Sequence, residues 1–407
     1  MRLLFVAQRY GEDILGGAES EARAVATRLA GRGHSVDVLT TCARSYISWA
    51  NELPAGTQEL EGVRIHRLPV SRPRDIELFG RLSTRVLGSP LDVAFHLQRE
   101  WMRLQGPLVP ELPAWLEASS ASFDAVVFFT YLYYTTWAGI AATRTPTALR
   151  PTAHDEPPIY LPIFDGVFRL ADGFAFGTPE EAALVRRRFR VYRPAEVTGI
   201  GIEIAELGDA AEFRARFGLG ERPYLVSAGR IDSQKGSGEL FHHFLEYKRR
   251  HPGPLALVFV GEEVERLPRH NDVRVTGYLP DATKNAALAG SDALVVPSHF
   301  ESFSIVLAEG WALGKPALVQ ARSDVLTGQA RRSGAAIPYA DAEGFVGALQ
   351  ALEGSRSMRM RLGGAGRQYV EANYSWNVVL DRWESLLESI TRRRRPILRS
   401  RALTLRR

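Results

Sequence analysis

Cysteine is almost absent from the sequence, since Cys42 is the only one among 407 residues. A single thiol excludes an intramolecular disulfide framework and any zinc site built from several cysteines. Nucleotide-binding patterns are missing too: no Gly-x-Gly-x-x-Gly follows the first predicted strand, and no Gly-x4-Gly-Lys-Ser/Thr occurs. Neither Asp-x-Asp, typical of metal-bridged diphosphate sites, nor the Gly-x-Ser-x-Gly of hydrolases is present. The sequence therefore disfavours dinucleotide-dependent enzymes, P-loop NTPases and serine hydrolases.

Acidic residues are absent from residues 391–407, which hold eight arginines. The net charge of the whole chain is +5, so removing these eight charges leaves −3 on the other 390 residues. No aromatic residue interleaves with the arginines and no nucleic-acid motif is present, so we expect no nucleic-acid partner. We interpret this stretch as a solvated basic tail. Contact with an anionic membrane surface is the functional alternative.

One long uncharged stretch, residues 125–143, approaches the ~20 residues that a membrane-spanning helix needs. It divides into an apolar run at 125–129, a turn rich in Tyr and Thr, and a second apolar run at 137–142. We therefore predict a strand–loop–helix unit here, and a buried first strand rather than a signal peptide at residues 1–7. We expect a cytoplasmic protein. Peripheral attachment at the inner face of the membrane is the hypothesis that accompanies the tail.

Short apolar runs alternate with amphipathic helical windows along the chain, which is typical of parallel sheets covered by helices. The predicted strands form two series, at 3–7, 36–40, 63–68, 125–130, 146–150 and 173–176, and then at 224–227, 256–260, 273–276, 293–297, 316–320 and 335–338. Residues 72–113 lack a strand pattern and predict a helical insertion. We predict two doubly wound domains, 1–200 and 201–373, then a helix at 374–390 and the basic tail at 391–407.

The most informative segment follows the predicted strand at 293–297 and contains Glu301, Phe303, Ser304 and Glu309. We predict that Ser302 or Ser304 caps a helix that follows, and the start of a helix favours a phosphate group. Carboxylates accept hydrogen bonds from sugar hydroxyls, so Glu301 and Glu309 are compatible with a nucleotide-sugar site. The plainer interpretation is a capping loop with two exposed glutamates.

A second cluster, Arg230 and Lys235, follows the first strand of the second series. Ligands of open α/β sheets bind at the carboxyl ends of strands, where both cations could face a diphosphate. They would neutralise a leaving group without a metal. Two solvated surface cations are the alternative interpretation.

These residues carry a resemblance that extends over nearly the whole chain. Glu301-x7-Glu309 with Gly229-Arg230 and Lys235-Gly236 resembles the retaining glycosyltransferases of family 4, which have the GT-B fold. In the first half, Gly16-Gly17-Ala18-Glu19 resembles the Gly-Gly-x-Glu loop of that family. Thr152-Ala153-His154-Asp155 resembles its His-Asp loop. His299 and Ser304 depart from the family pattern, and we interpret them as tuning donor choice.

The resemblance implies two Rossmann-like domains facing a central cleft, with the acceptor on the first and the nucleotide sugar on the second. It implies that Glu309 binds the ribose, while Glu301 and the amides near Phe303 and Ser304 bind the sugar and phosphates. Arg230 and Lys235 would stabilise the departing diphosphate. The same resemblance puts His154 over the transferred sugar and lets Gly16 and Gly17 approach the donor phosphates and the acceptor. A merely structural loop histidine remains the alternative for His154.

We therefore predict a retaining glycosyltransferase that needs neither a metal nor another cofactor. Its donor would be a nucleotide-diphosphate sugar and its acceptor a glycan or lipid-linked saccharide, in cell-surface polysaccharide synthesis. A nucleotide-sugar epimerase on the same fold is one alternative, with only His154 as a candidate acid or base. A non-catalytic sugar-nucleotide-binding partner is the other, although no member of the predicted site is lost.

Overall fold

The computed structural model describes residues 1–14, 16–204 and 206–392. The chain divides into two compact units. The first unit contains Met1–Thr198 and the described residues from Leu380 onward, and the second contains Gly199–Val379. Within the described residues, no helix is both long enough and apolar enough to span a membrane.

The first unit is built on an eight-stranded sheet whose strands pair in parallel, apart from the antiparallel β3–β4 pair. Its strands in chain order are β1 Arg2–Val6, β2 Ser35–Thr41, β3 Gly56–Leu60, β4 Val63–Leu68, β5 Ala125–Phe129, β6 Thr147–Arg150, β7 Gly173–Phe176 and β8 Ala195–Val197. The spatial order is β3-β4-β2-β1-β5-β6-β7-β8. The most regular apolar run, β5, is buried at every residue because helices cover both faces of a parallel sheet.

Seven α-helices accompany this sheet within the described residues before the second unit begins. They are α1 Gly17–Gly31, α2 Ile76–Gly88, α3 Phe95–Gln105, α4 Leu112–Ser119, α5 Tyr134–Ala142, α6 Asp165–Leu170 and α7 Pro179–Phe189. The predicted helical insertion at 72–113 is confirmed by α2 and α3, with the start of α4. The uncharged stretch at 125–143 forms β5 and α5, so the predicted strand–loop–helix unit is also confirmed.

The second unit contains a six-stranded parallel sheet of spatial order β11-β10-β9-β12-β13-β14. The strands are β9 Tyr224–Ala228, β10 Ala256–Val260, β11 Val273–Val275, β12 Ala293–Val296, β13 Ala317–Gln320 and β14 Ala336–Tyr339. The helices are α8 Ala210–Arg216, α9 Ser237–Arg250, α10 Asp281–Gly290, α11 Ile305–Ala312, α12 Asp324–Ser333, α13 Ala342–Glu353 and α14 Arg356–Tyr374. The strand order reverses between β9 and β12, and the carboxyl ends of strands at such a point are where open α/β sheets bind ligands.

The last described helix, α15 Trp376–Arg392, begins two residues later than predicted and continues two residues further. Its apolar face packs in the first unit, where the Trp383 ring stacks on Phe129 with centroids 5.9 Å apart. Ile390 approaches Gly173 so closely that a Cβ there would lie 2.6 Å from its Cγ2. Residues 393–407 of the predicted basic tail lie outside the described residues.

Candidate functional site

The loop between β12 and α11, residues 297–304, lies at the carboxyl edge of the second sheet. The Phe303 ring is buried edge-on against Tyr374, with centroids 4.8 Å apart, and its carbonyl accepts a hydrogen bond from Gln329. Ser304, the last residue before α11, has a left-handed backbone with φ of 73° and makes no capping hydrogen bond. The first amides of α11 therefore lack a cap from that side chain, an arrangement that favours an anionic oxygen.

Lys235 and Glu301 come together in this unit, although 66 residues separate them in sequence. The Lys235 Nζ atom lies 2.8 Å from Oε1 of Glu301. Lys235 belongs to the loop after β9 and Glu301 to the loop after β12. A Cβ at Gly236 would lie 2.3 Å from the Pro297 carbonyl oxygen, so only glycine allows these two loops to approach so closely. Close packing of the two loops therefore explains why position 236, next to Lys235, is a glycine.

Asp232 organises the loop after β9 and was missed by sequence reasoning. Its Oδ2 atom lies 3.1 Å from Nη2 of Arg230, and its Oδ1 accepts the backbone N–H of Lys235 at 2.8 Å. The Asp232 side chain is only 8% exposed, whereas that of Arg230 is 40% exposed. The buried carboxylate thus fixes both cationic residues. An aspartate three residues before Lys235 in a loop is a usable signal, since Asp side chains commonly bond nearby loop amides.

Glu309 belongs to a different ion pair from Glu301. Its Oε1 atom lies 2.9 Å from the Nζ of Lys284, which also reaches Asp281 at 3.0 Å. Burial raises the pKa of the Glu309 carboxyl, and the neighbouring ammonium opposes this shift. Burial alone would lower the pKa of Lys284, but the carboxylates of Glu309 and Asp281 together leave that pKa raised. Lys284, which the sequence did not single out, therefore orients Glu309, the residue predicted to bind the ribose.

His299, one of the departures from the family pattern, anchors the loop after β12 to α9. Its Nε2 atom lies 2.7 Å from Oε2 of Glu239, and the other oxygen of that carboxylate is 3.3 Å from Nε2 of His243. Glu239 was also missed by sequence reasoning. Glu239 and Lys235 therefore hold the loop carrying Glu301, in addition to Gln329.

The remaining predicted residues, Gly16, Gly17 and His154, belong to the first unit. Gly16 precedes α1 with φ of 146°, and a Cβ there would lie 2.3 Å from Oε2 of Glu19. Glu19 is buried and pairs with Arg9, with 2.6 Å between Oε1 and Nη2. The glycine at position 16 thus makes room for this buried ion pair, and Gly17 is the first residue of α1.

His154 lies in the loop after β6 and is partly exposed. Its Nδ1 atom lies 3.2 Å from Oε1 of Glu156. The backbone beside it is held by a buried carboxylate, because the N–H of Ala153 donates to Oε1 of Glu181 at 2.6 Å. Glu181 was not predicted from the sequence, although Thr178-x-x-Glu181 at the start of α7 is a capping-box pattern that draws attention to it.

The chain is similar in sequence and in structure to known glycosyltransferases. The family "Glycosyl transferases group 1" matches residues 209–369, which lie in the second unit. Glycogen synthase of Mycobacterium tuberculosis is 25% identical, over 93% of this chain and 92% of its own length. The lipopolysaccharide core biosynthesis glycosyltransferase LpsE of Rhizobium meliloti is 29% identical, over 54% of this chain and 66% of its own. The solved structure of Anabaena Alr3699/HepE in complex with UDP and glucose has a TM-score of 0.68 at 14% identity, covering 96% and 100% of the two chains.

The predicted reaction class, glycosyl transfer, is confirmed. These matches support neither the epimerase nor the non-catalytic alternative. The predicted fold class, GT-B with two Rossmann-like α/β domains, is confirmed by the two parallel sheets and the structural likeness.

Proposed function

We propose that the chain is a retaining, metal-independent glycosyltransferase of family 4 that uses a nucleotide-diphosphate sugar as donor. The observation that carries this proposal is the Lys235–Glu301 pair beside the start of α11. It combines a cation, a carboxylate and uncapped amides at the carboxyl edge of the second sheet. These are the groups that a sugar diphosphate needs.

Each side chain has a distinct part in this proposal. Arg230 and Lys235 neutralise the diphosphate together with the amides of α11. When the donor binds, Glu301 exchanges its Lys235 contact for a sugar hydroxyl, which leaves the ammonium for phosphate. Glu309, oriented by Lys284, accepts hydrogen bonds from the ribose. His154 acts at the transferred sugar, and Gly16 and Gly17 let the loop before α1 approach the substrates, as the family resemblance implies.

The proposed reaction separates charge in its transition state. The bond between the anomeric carbon and the diphosphate oxygen breaks, and its electron pair leaves with the diphosphate. The acceptor hydroxyl oxygen attacks the anomeric carbon from the same face, and its proton passes to the departing diphosphate oxygen. Because Asp232 already holds the Arg230 guanidinium and the Lys235 backbone, the two cations need little reorganisation once Glu301 has released the Lys235 ammonium.

The relatives suggest which substrates to try first. HepE was solved with UDP and glucose, glycogen synthase builds a glucan by its name, and LpsE serves a lipopolysaccharide core. We propose UDP-glucose as the first donor for testing. A glycan or lipid-linked saccharide is the proposed acceptor, within cell-surface polysaccharide synthesis.

A transfer assay with a panel of UDP, GDP, ADP and dTDP sugars tests the proposal. We expect one donor to raise the melting temperature by mass action and to be consumed only with acceptor. The product linkage should keep the anomeric configuration of the donor in NMR spectra, and EDTA should leave the rate unchanged. An inverted product contradicts retention, and loss of activity in EDTA contradicts metal independence. The reaction proposal fails if no donor binds or is transferred.

The cellular location is a separate proposal that uses the basic sequence after α15. We propose a cytoplasmic enzyme that binds anionic lipid through its arginine-rich tail, at about 1 kcal/mol per arginine near the surface. The full chain should pellet with vesicles containing phosphatidylglycerol, and less so as salt rises. A chain ending at Arg392 keeps all of α15 and should stay in the supernatant. Pelleting of that shortened chain contradicts the proposal.

A further inference from the structure

Three charged side chains meet inside the first unit, away from solvent. Arg150 ends β6, Glu21 comes from α1 and Glu181 from α7. The Arg150 Nε atom lies 2.9 Å from Oε1 of Glu21, and its Nη1 lies 3.7 Å from Oε2 of Glu181. None of the three side chains is more than 1% exposed. The cluster therefore buries two carboxylates against one guanidinium.

Glu181 is the weaker partner of the arginine but the stronger partner of the backbone. Its Oε1 accepts the N–H of Ala153 and its Oε2 accepts the N–H of Gly177, both at 2.6 Å. One carboxylate thereby ties the loop after β6 to the loop after β7. Glu21 lies closer to Arg150 than Glu181 does, so the Glu181 carboxylate carries a desolvation penalty without a close ionic contact in return. Glu181 therefore contributes to the structure mainly through the hydrogen bonds that it accepts from these two backbone amides.

The loop that Glu181 holds is strained. Thr152 has φ of 51°, a left-handed backbone that β-branched residues rarely adopt. Strained residues persist where the surrounding contacts over-determine them, and such positions cluster at functional sites. Ala153 follows Thr152 and precedes His154, so the hydrogen bond from the Ala153 amide fixes the segment that orients the histidine.

We propose that Glu181 is a positioning residue for His154, acting through the Ala153 amide. It holds the loop after β6 in the strained conformation that directs the imidazole at the transferred sugar. This inference rests on the role proposed above for His154 and extends it to a side chain that touches no substrate.

Glu21 provides a matched control, because it belongs to the same buried cluster but, within the described part of the chain, bonds no loop amide. Glu181→Gln and Glu21→Gln each replace one buried carboxyl group with an amide of similar size. Only Glu181→Gln replaces an acceptor oxygen with an NH₂ group that faces a backbone N–H. We expect Glu181→Gln to lower kcat about tenfold to hundredfold, a loss typical of a small misplacement. Its donor KM and the kcat of Glu21→Gln should stay within about threefold, since neither donor ligands nor the loop are altered.

Hydrogen exchange gives a readout that does not depend on activity. The peptide covering residues 152–155 should exchange faster in Glu181→Gln than in Glu21→Gln or the wild type. If Glu181→Gln does not fold, Glu181→Asp replaces it, because the shorter side chain keeps the carboxylate but cannot reach both the Ala153 and Gly177 amides. That variant should show the same faster exchange and the same loss of kcat.

A double-mutant cycle with His154→Ala decides between positioning and general support. If Glu181 acts through His154, adding Glu181→Gln to His154→Ala should cost almost nothing further. An equal loss on both backgrounds overturns the proposal, as do equal losses for Glu21→Gln and Glu181→Gln, unchanged exchange, or a His154→Ala variant with wild-type kcat. If the wild type transfers no sugar at all, the proposed function fails on its own, and exchange still decides whether Glu181 orders the loop.

Discussion

In the second unit, Lys235–Glu301 and Lys284–Glu309 are partly exposed ion pairs, whereas in the first unit Arg150, Glu21 and Glu181 are shut off from solvent. Each unit is built on a mainly parallel sheet covered by helices. Partly exposed pairs can exchange partners when a ligand arrives, so they are suited to binding. A buried charge that loses its partner is left unpaired away from water, which is energetically costly. Buried charged groups are therefore suited to holding the backbone in one conformation. One architecture can therefore use the same residue types either to bind a ligand or to shape a loop.

Replacing Lys235, whose ammonium pairs with Glu301 in the second unit, should have the largest effect on the reaction rate. We expect Lys235→Ala to lower kcat by 10²–10³, about 2.7–4 kcal/mol of barrier, because one preorganised donor to the leaving group is lost. Steady-state rates with the donor found in the panel measure this. Arg249→Ala is the control, since Arg249 is an exposed cation paired with Glu246 on α9. Equal rates for the wild type and Lys235→Ala would show that the pair is only a surface ion pair.

The buried cluster of Arg150, Glu21 and Glu181 in the first unit should instead affect how the free energy of unfolding depends on pH. Burial raises the pKa of Glu21 to about 7 from 4.5, an effect that Arg150 opposes and Glu181 reinforces. Between those pH values the folded chain keeps a proton that the unfolded chain releases. The free energy of unfolding should therefore fall as pH rises through that range, by about 3 kcal/mol at most.

Melting temperatures at pH 5, 6, 7 and 8 test this sign. Glu21→Gln should flatten the dependence that the wild type shows. Glu117→Gln should leave it intact, because Glu117 is exposed and pairs with Arg144 at the surface. A wild-type protein that gains stability toward pH 7, relative to Glu21→Gln, would contradict the buried-proton interpretation.

Sequence patterns predicted the buried parts of the fold better than its edges. Each strand of the second sheet was predicted, and the central strands β9, β10 and β12 stand out because strands covered on both faces form near-continuous apolar runs. The edge strand β3, with its polar sequence Gly-Thr-Gln-Glu-Leu, was missed because four of its five residues are exposed. The short β8 was missed as well. It has only three residues, and none of them is fully buried.

The candidate site divides in the same way between motif and tertiary structure. Lys235 and Glu301 were found because each belongs to a motif that resembles a known family. Lys284 and Glu181 were not, because what makes them important is a contact across 25 or 28 residues of chain. No local period encodes such a contact. The Thr178-x-x-Glu181 pattern explains the cap at the start of α7, where Thr178 Oγ1 accepts the N–H of Glu181, but it gives no sign of the bond to Ala153.

The smallest expected effect concerns backbone strain, which occurs at one residue in a candidate loop of each unit. Ser304 and Thr152 are non-glycine residues with left-handed backbones in the candidate loops. Ser304 Oγ has no hydrogen-bond partner within the described ranges, so nothing there compensates the strain, whereas the loop of Thr152 is held by Glu181. We expect Ser304→Gly to stabilise the second unit by about 1 kcal/mol, a rise of about 2–4 °C in melting temperature. Ser304→Ala keeps the Cβ and the strain, so it should gain less. A fall in melting temperature for Ser304→Gly would show that the hydroxyl holds this loop, and the contrast between the two units would then disappear.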